Sequence, residues 1–253
     1  ANYLLKDSYA AFIAGVIFAF FPFHFGASFG HLHTFSIMWI PFFVLYFHKM
    51  YEKPEGLNIL LASLFFAINA LTSWTIAVML AIFCLLYAGW KIKDTISKKF
   101  LPKFSVFLLL SLVLISPGLY LVLKNMLTNE HMLQPLSSFI IYSADLMGFI
   151  VPSPCHPVLK VFSNPIYANF TGNYSENIVF IGYTSLMLVI IGIYSLNKSK
   201  PGIFLLICTA VFFTLSLGPV LHIFGVWQFT SCNLTIMLPG IITKYTPFLD
   251  MIR

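Results

Sequence analysis

Residues 56–90 read GLNILLASLFFAINALTSWTIAVMLAIFCLLYAGW, and this stretch decides the fold because it carries no charged side chain. As one helix it would be about 52 Å long, whereas the hydrocarbon core of a bilayer is about 30 Å thick. The stretch therefore has to fold back, and its only polar patch is Asn69-Ala70-Leu71-Thr72-Ser73. We predict two antiparallel helices, Leu57–Leu71 and Ser73–Trp90, joined at this patch.

The composition of the whole chain is that of a bilayer protein. Hydrophobic residues make up 59% of the 253 positions, charged residues only 9%, and the mean hydropathy is +0.91. A soluble domain of this size needs a polar shell, which so few charges do not supply. The net charge is +6, but the basic residues do not alternate with aromatic residues along one stripe, as they often do in nucleic-acid-binding proteins. It therefore indicates membrane topology and anionic lipid as partners, and no nucleic acid.

Uncharged apolar runs lie between the lysine clusters along the rest of the chain. A membrane span takes about 20 apolar residues as helix, and a charge inside it is costly. The pattern predicts an all-α fold, a polytopic integral membrane helical bundle with about seven transmembrane helices and one long extracytoplasmic loop. The predicted spans are Tyr9–Pro22, Thr34–Phe47, Leu57–Leu71, Ser73–Trp90, Phe104–Leu123, Ile178–Leu196 and Gly202–Leu217.

The basic residues orient these predicted helices. With seven spans, one face receives ten lysines, and the other receives only Lys124, Lys160, Lys244 and Arg253. Cytoplasmic loops carry the excess of Lys and Arg, which predicts that the ten-lysine face is cytoplasmic. We expect the protein in the plasma membrane. If residues 56–90 crossed once only, this excess would largely vanish, which supports the hairpin. The ten are Lys6, Lys49, Lys53, Lys91, Lys93, Lys98, Lys99, Lys103, Lys198 and Lys200.

The orientation divides the chain into four segments. Residues 1–123 hold transmembrane helices one to five, 124–177 form the extracytoplasmic loop, 178–217 hold helices six and seven, and 218–253 are extracytoplasmic or interfacial. The chain opens at Ala1 and stops at Arg253 directly after an apolar stretch. We expect a fragment of a longer protein.

Six of the seven histidines, and the acidic residues Asp145 and Glu176, fall on the extracytoplasmic face. Histidine serves as acid, base or metal ligand near neutral pH, so this enrichment indicates a site. Three prolines stiffen the loop around His156. The stiffened residues are Val151-Pro152-Ser153-Pro154-Cys155-His156-Pro157.

Each candidate on this face also has a structural interpretation. Asp145 is as well suited to cap a short helix beginning near Leu146. His156 is suited to fix the loop by hydrogen bonds, and Glu176 suits the N-terminus of the next span. His31 and His33 would share one face of an extended segment, but no cysteine or carboxylate nearby completes a ligand set. We predict no metal site among these residues.

Several motifs spread over nearly the whole chain resemble the middle spans of the GT-C glycosyltransferase superfamily of membrane proteins. They are Ala11-Phe12-Ile13-Ala14-Gly15-Val16-Ile17-Phe18-Ala19-Phe20-Phe21-Pro22, Gly30-His31-Leu32, Met38-Trp39-Ile40-Pro41, Leu71-Thr72-Ser73-Trp74, Asp145-Leu146 through Pro152-Ser153-Pro154 to His156-Pro157, Glu176 through Gly182-Tyr183, and Leu238-Pro239-Gly240 through Pro247-Phe248 to Ile252-Arg253. The resemblance implies transfer of a sugar from a polyprenyl-phosphate donor to an acceptor on the extracytoplasmic face.

In that superfamily an acidic residue of the first outer loop usually acts as base or metal contact, and we expect this chain to start after that loop. No catalytic role is therefore carried over by analogy, although a divalent metal stays open as cofactor. On chemical grounds, His31, His156 and Lys160 are candidates to bind the phosphate of a lipid-linked sugar donor. Asp145 and Glu176 are the candidates for deprotonating the acceptor.

Two other functions remain open. A transporter usually places ionisable residues inside its spans, and no Asp, Glu, Lys or Arg falls within a predicted span. Asn69, Pro41 and Pro117 still leave room for a broken-helix site. A non-catalytic membrane scaffold would use the outer loop only to dock a partner. The sequence leaves the oligomeric state open.

Overall fold

A computed structural model describes residues 2–28, 35–128, 140–173, 177–196 and 199–227. Within these ranges the chain is helical and forms no β-strand, only the isolated bridges Asp145–His222 and Ile223–Val226. The prediction of an all-α fold is thus confirmed for the described part of the chain. These residues make up two compact units, one built from residues 2–28 and 140–227 with their gaps, the other from 35–128.

The α-helices are numbered here in chain order. The first unit also contains a short 3-10 helix, Leu146–Phe149. The helices are α1 (Asn2–Leu5), α2 (Ser8–Ala19), α3 (Pro22–Ser28), α4 (Ile40–Glu52), α5 (Gly56–Thr72), α6 (Trp74–Trp90), α7 (Ile92–Thr95), α8 (Leu101–Thr128), α9 (Lys160–Tyr167), α10 (Tyr183–Leu196) and α11 (Lys200–Ser216).

The break predicted within residues 56–90 is present. Helix α5 ends at Thr72 and α6 begins at Trp74, with Ser73 between them in an extended conformation (φ −154°, ψ 122°). The Ser73 hydroxyl accepts a hydrogen bond from the Ile76 N–H at 3.5 Å, which makes Ser73 the N-cap of α6. A capping serine supplies the acceptor that the first turn of a helix lacks, so the polar patch both ends one helix and starts the next.

The second unit is packed around aromatic side chains of α4 and α8. Phe43, Phe47 and Phe107 are buried, and the Phe47 and Phe107 ring centroids lie 5.3 Å apart. Helix α5 packs against both helices. Its buried Ser63 donates to the carbonyls of Ile59 (3.0 Å) and Phe107 (3.2 Å). A small hydroxyl residue here lets α5 and α8 approach closely while its polar group stays satisfied.

Among the described residues one helix, spanning Leu101–Asn125 within α8, is long and apolar enough to cross a membrane. It contains the predicted span Phe104–Leu123 and tolerates Pro117 in its interior. Other apolar helices are shorter, between 10 and 17 residues: Ser8–His24, Gly56–Thr72, Trp74–Trp90, Tyr183–Tyr194 and Lys200–Ser216.

Candidate functional site

The Asp145 carboxylate lies at the centre of a buried polar cluster in the first unit. Only 2% of the residue is exposed. Its Oδ1 accepts a hydrogen bond from the Met147 N–H at 2.8 Å, which caps the 3-10 helix Leu146–Phe149. The backbone of Asp145 is extended, and the residues after it form a helical turn. Aspartate is favoured at this N-cap position. The capping interpretation of Asp145 is thus confirmed.

The same carboxylate also holds a turn far along the chain. Oδ1 accepts from the Phe224 N–H at 3.2 Å, and Oδ2 accepts from the Gly225 N–H at 2.7 Å. Phe224 and Gly225 both have positive φ, 53° and 76°. Successive N–H groups of such a turn point the same way and form a small anion-binding concavity. In this protein the anion in the concavity is a side chain of the protein itself.

His222 is the second buried member of the cluster and is fully inaccessible to solvent. Its carbonyl accepts from the Leu146 N–H at 2.9 Å, and its Nδ1 is 3.1 Å from the Thr171 hydroxyl. The imidazole stacks on Trp227 with 6.3 Å between centroids. Its Nε2 is buried and has no hydrogen-bond partner in the part of the chain that the structure describes. Whichever tautomer is present, one ring nitrogen is therefore unsatisfied.

Burial lowers the pKa of His222 below its ordinary value of about 6.5, and the negative charge of Asp145 opposes this shift without cancelling it. The ring is therefore neutral at physiological pH. A buried imidazole whose pKa is shifted occurs both at functional sites and in structural networks.

This shift predicts an acid-sensitive first unit. Because the folded pKa is the lower one, the unfolded chain binds the proton first as pH falls below about 6.5, and the free energy of unfolding decreases by at most about 1.4 kcal/mol per pH unit. Above that pH the contribution of His222 is constant. Melting temperatures of the wild type and the His222→Gln variant between neutral and mildly acidic pH test this. Parallel pH profiles for the two proteins would contradict it.

His156 fixes the turn that precedes α9. Its Nδ1 accepts from the N–H groups of Val158 (3.2 Å) and Leu159 (3.1 Å), and its carbonyl accepts from the Lys160 N–H at 3.2 Å. The interpretation of His156 as a hydrogen-bonding anchor of the loop is thus confirmed. Because Nδ1 acts as acceptor, the neutral ring carries its proton on Nε2 and has a donor left for a ligand.

Helix α9 and the turn before it expose apolar side chains beside this histidine. Val158, Val161 and Phe162 are 72%, 69% and 74% exposed, and Lys160 is exposed next to them. The opposite face of α9 is anchored, because Ser163 is buried and the Tyr167 hydroxyl donates to the Val151 carbonyl at 3.3 Å. A fixed helix that presents large apolar side chains and a cation is typical of a surface that meets lipid or a partner.

The predicted site residues thus separate into two places. His156 and Lys160 come together at the start of α9, whereas Asp145 belongs to the polar cluster with His222 and Thr171. His31 and Glu176 lie outside the described residues, so their predicted roles stay predictions. The catalytic role of Asp145 also stays a prediction.

The contribution of His222 was missed. The only available signal was its place among the extracytoplasmic histidines, because nothing in the sequence links His222 to Asp145 or Thr171. Chemically, the carboxylate of the cluster holds backbone N–H groups in place, and the start of α9 offers a cation and a ring N–H donor beside exposed apolar side chains.

Within the described residues no three His, Cys, Asp or Glu side chains come together as a metal site. Comparison of the chain with models of known families, with curated proteins and with solved structures finds no match.

Proposed function

We propose that this chain is part of a membrane glycosyltransferase-like protein that transfers a sugar from a polyprenyl-phosphate donor on the extracytoplasmic face. The observation that carries the proposal is the start of α9, where Lys160 and His156 adjoin the exposed Val158, Val161 and Phe162. A lipid-linked sugar needs both kinds of surface, because its isoprenoid chain lies in the bilayer and its phosphate lies at the interface.

A bundle of about seven spans is part of this proposal. It is supported by the apolar helix Leu101–Asn125, by the shorter apolar helices on either side of it in sequence, and by the ten lysines that fall on one predicted face. Many large apolar side chains of α8, α10 and α11 are exposed, including Leu109 (61%), Ile190 (68%) and Leu205 (50%). Lipid tails would cover these side chains at no cost in hydrophobic free energy.

In the proposed complex the isoprenoid chain packs on Val158, Val161 and Phe162. The phosphate accepts hydrogen bonds from the Lys160 ammonium and from the Nε2–H of His156. Charge-assisted hydrogen bonds of this kind contribute about 1.5–3 kcal/mol each. They strengthen as negative charge builds up on the leaving phosphate, so they favour the transition state over the bound donor.

The transfer itself forms one bond and breaks one. The acceptor hydroxyl oxygen bonds to the anomeric carbon of the sugar, the bond from that carbon to the phosphate oxygen breaks, and the electron pair leaves with polyprenyl phosphate. The hydroxyl proton passes to a carboxylate base. Three backbone N–H donors already occupy the buried Asp145 carboxylate. This favours a positioning role for Asp145, and we propose Glu176 or a carboxylate outside the present chain as the base.

Transfer of a labelled sugar from synthetic polyprenyl-phosphate donors by the complete protein that contains this chain, in proteoliposomes, tests this function. We expect Lys160→Gln and Phe162→Ser each to lower the transfer rate about tenfold, since each removes one contact worth about 1.5 kcal/mol. Lys124→Gln and Leu127→Ser are matched controls, because both residues are exposed at the end of α8. Equal rates for each variant and its control would refute the donor site at α9.

A non-catalytic scaffold is the second candidate, and the buried state of Asp145 favours it. Every oxygen of this carboxylate is used to hold backbone, as expected of a fold that presents a surface and performs no chemistry. If the protein is a scaffold, we expect the full chain to bind a lipid-linked sugar or a partner without transferring the sugar. Unchanged transfer in an Asp145→Asn, Glu176→Gln double variant would instead place the base elsewhere in the protein.

A further inference from the structure

Residues 91–103, which we name the lysine loop, comprise α7, the connection to α8 and the first residues of α8, and they carry a strong positive charge. The loop contains five lysines and one acidic residue, Asp94. Asp94 pairs with Lys91, with 3.7 Å between carboxylate oxygen and Nζ. The five lysines are all exposed: Lys91, Lys93, Lys98, Lys99 and Lys103. Exposed lysines at this density create a positive field that attracts negatively charged groups.

The lysine loop is anchored to the second unit. The hydroxyl of the buried Thr95 lies 3.1 Å from the Ala88 carbonyl, 3.0 Å from the Lys91 carbonyl and 3.1 Å from the Tyr51 hydroxyl. Phe100 is also buried, with its ring 4.4 Å from that of Tyr51. These two anchors fix the backbone between Thr95 and Phe100, so little backbone entropy is lost when the loop binds a partner.

Apolar side chains lie among these charges. Ile92 and Ile96 are 50% and 61% exposed, and the Ile96 N–H donates to the Ile92 carbonyl at 3.0 Å. One helical turn therefore places both side chains on the same side. Trp90 and Leu101, where α6 ends and α8 begins, are partly exposed as well. Lysines beside apolar and aromatic residues are the composition of segments that lie in a bilayer interface.

We propose that the lysine loop binds the headgroups of anionic phospholipids in the leaflet it faces. Lys93, Lys98 and Lys99 contact the phosphates, and Ile92 and Ile96 enter the acyl boundary beneath them. The charge of the loop selects anionic over zwitterionic lipid, and the anchoring of Thr95 and Phe100 keeps the lysines at headgroup level. This inference rests on the membrane placement in the proposed function, and it is independent of sugar transfer.

The test is lipid selectivity of the full chain. The protein is exchanged into micelles that contain equal amounts of phosphatidylglycerol and phosphatidylcholine, repurified, and the ratio of retained lipids is measured by mass spectrometry. We expect the wild type to enrich phosphatidylglycerol several-fold, since each lysine near an anionic surface contributes a factor of about five. The K93Q/K98Q/K99Q variant should retain the two lipids nearly equally, and K93R/K98R/K99R should keep the enrichment. Added salt should weaken the enrichment.

The control variant K6Q/K124Q/K200Q removes the same number of exposed lysines outside the loop, and it should enrich phosphatidylglycerol like the wild type. The proposal is overturned if the wild type retains both lipids equally, or if the control variant loses as much selectivity as K93Q/K98Q/K99Q. Lipid selectivity without any sugar transfer would reject only the proposed enzymatic function. Sugar transfer without lipid selectivity would reject only the proposal that the lysine loop binds anionic phospholipids.

Discussion

Asp145→Asn lowers the free energy of unfolding of the first unit by about 3 kcal/mol, and this is the larger of the two strongest expected effects. An asparagine has one acceptor oxygen where the aspartate has two. That oxygen can keep the N–H groups of Met147 and Phe224, but the amide NH2 then faces the Gly225 N–H, now 2.7 Å from Oδ2. Flipping the amide sets the NH2 against two N–H groups instead. Either orientation leaves buried donors unsatisfied.

Thermal unfolding and limited proteolysis of the purified full chain measure this effect. Asp94→Asn serves as the matched control, because the Asp94 side chain is 62% exposed in its pair with Lys91. A surface pair of this kind contributes only about 0–1 kcal/mol, so the control should melt close to the wild type. If the two variants melt at the same temperature, the carboxylate does not hold the cluster together.

Gly225→Ala has the second large effect, because two independent constraints act at this position. The backbone of Gly225 has φ +76°, where any residue with a Cβ is strained by roughly 1–2 kcal/mol. In addition, the new Cβ would overlap the backbone carbonyl of Asn169. Backbone cannot give way as a flexible side chain does, so the turn has to move and its hydrogen bond to Asp145 is lost.

Coupling between the two variants gives the sharper test. If both act by breaking the hydrogen bond between Gly225 and Asp145, the double variant loses less stability than the sum of the single variants. Gly15→Ala is the matched control, because Gly15 lies in α2 and a Cβ there meets no atom within 4 Å. It should be neutral or slightly stabilising. Strict additivity at positions 145 and 225 would contradict the shared mechanism.

The break between α5 and α6 could be predicted from the sequence because one uncharged apolar helix of that length would exceed the thickness of a bilayer. The break lies within the polar patch that predicted it. Ser73, predicted as the first residue of the second helix, is instead its N-cap. The predicted helix boundaries were less accurate where a helix continues beyond the apolar run that predicted it. Helix α4 continues to Glu52, past the predicted end at Phe47, because Lys49 and Glu52 favour helix as strongly as apolar residues do.

Proline was the other source of boundary differences. The predicted span Tyr9–Pro22 is divided in the structure, with α2 ending at Ala19 and Pro22 opening α3. Proline is preferred in the first turn of a helix, where its missing N–H is no loss. In α8 the opposite occurs, since Pro117 lies inside a continuous helix. Local sequence does not distinguish these cases, because neighbouring helices decide whether the lost hydrogen bond is tolerated.

The candidate site was predicted only where its contacts are local. The capping by Asp145 and the anchoring by His156 involve residues two or three positions away, and the sequence indicated both. The hydrogen bonds from Phe224 and Gly225 to Asp145 bridge 79 and 80 positions. Such pairings arise from tertiary packing, and no periodicity or motif records them. His222 was missed for the same reason.

The helices that pack together in the second unit differ in length. Helices α5 and α6 have 17 residues each and α8 has 28, which correspond to about 25 Å and 42 Å of helix. In a bilayer as proposed, the short pair draws the two leaflets together, whereas α8 tilts or protrudes. On the proposed membrane placement, the protein should therefore partition into thinner bilayers.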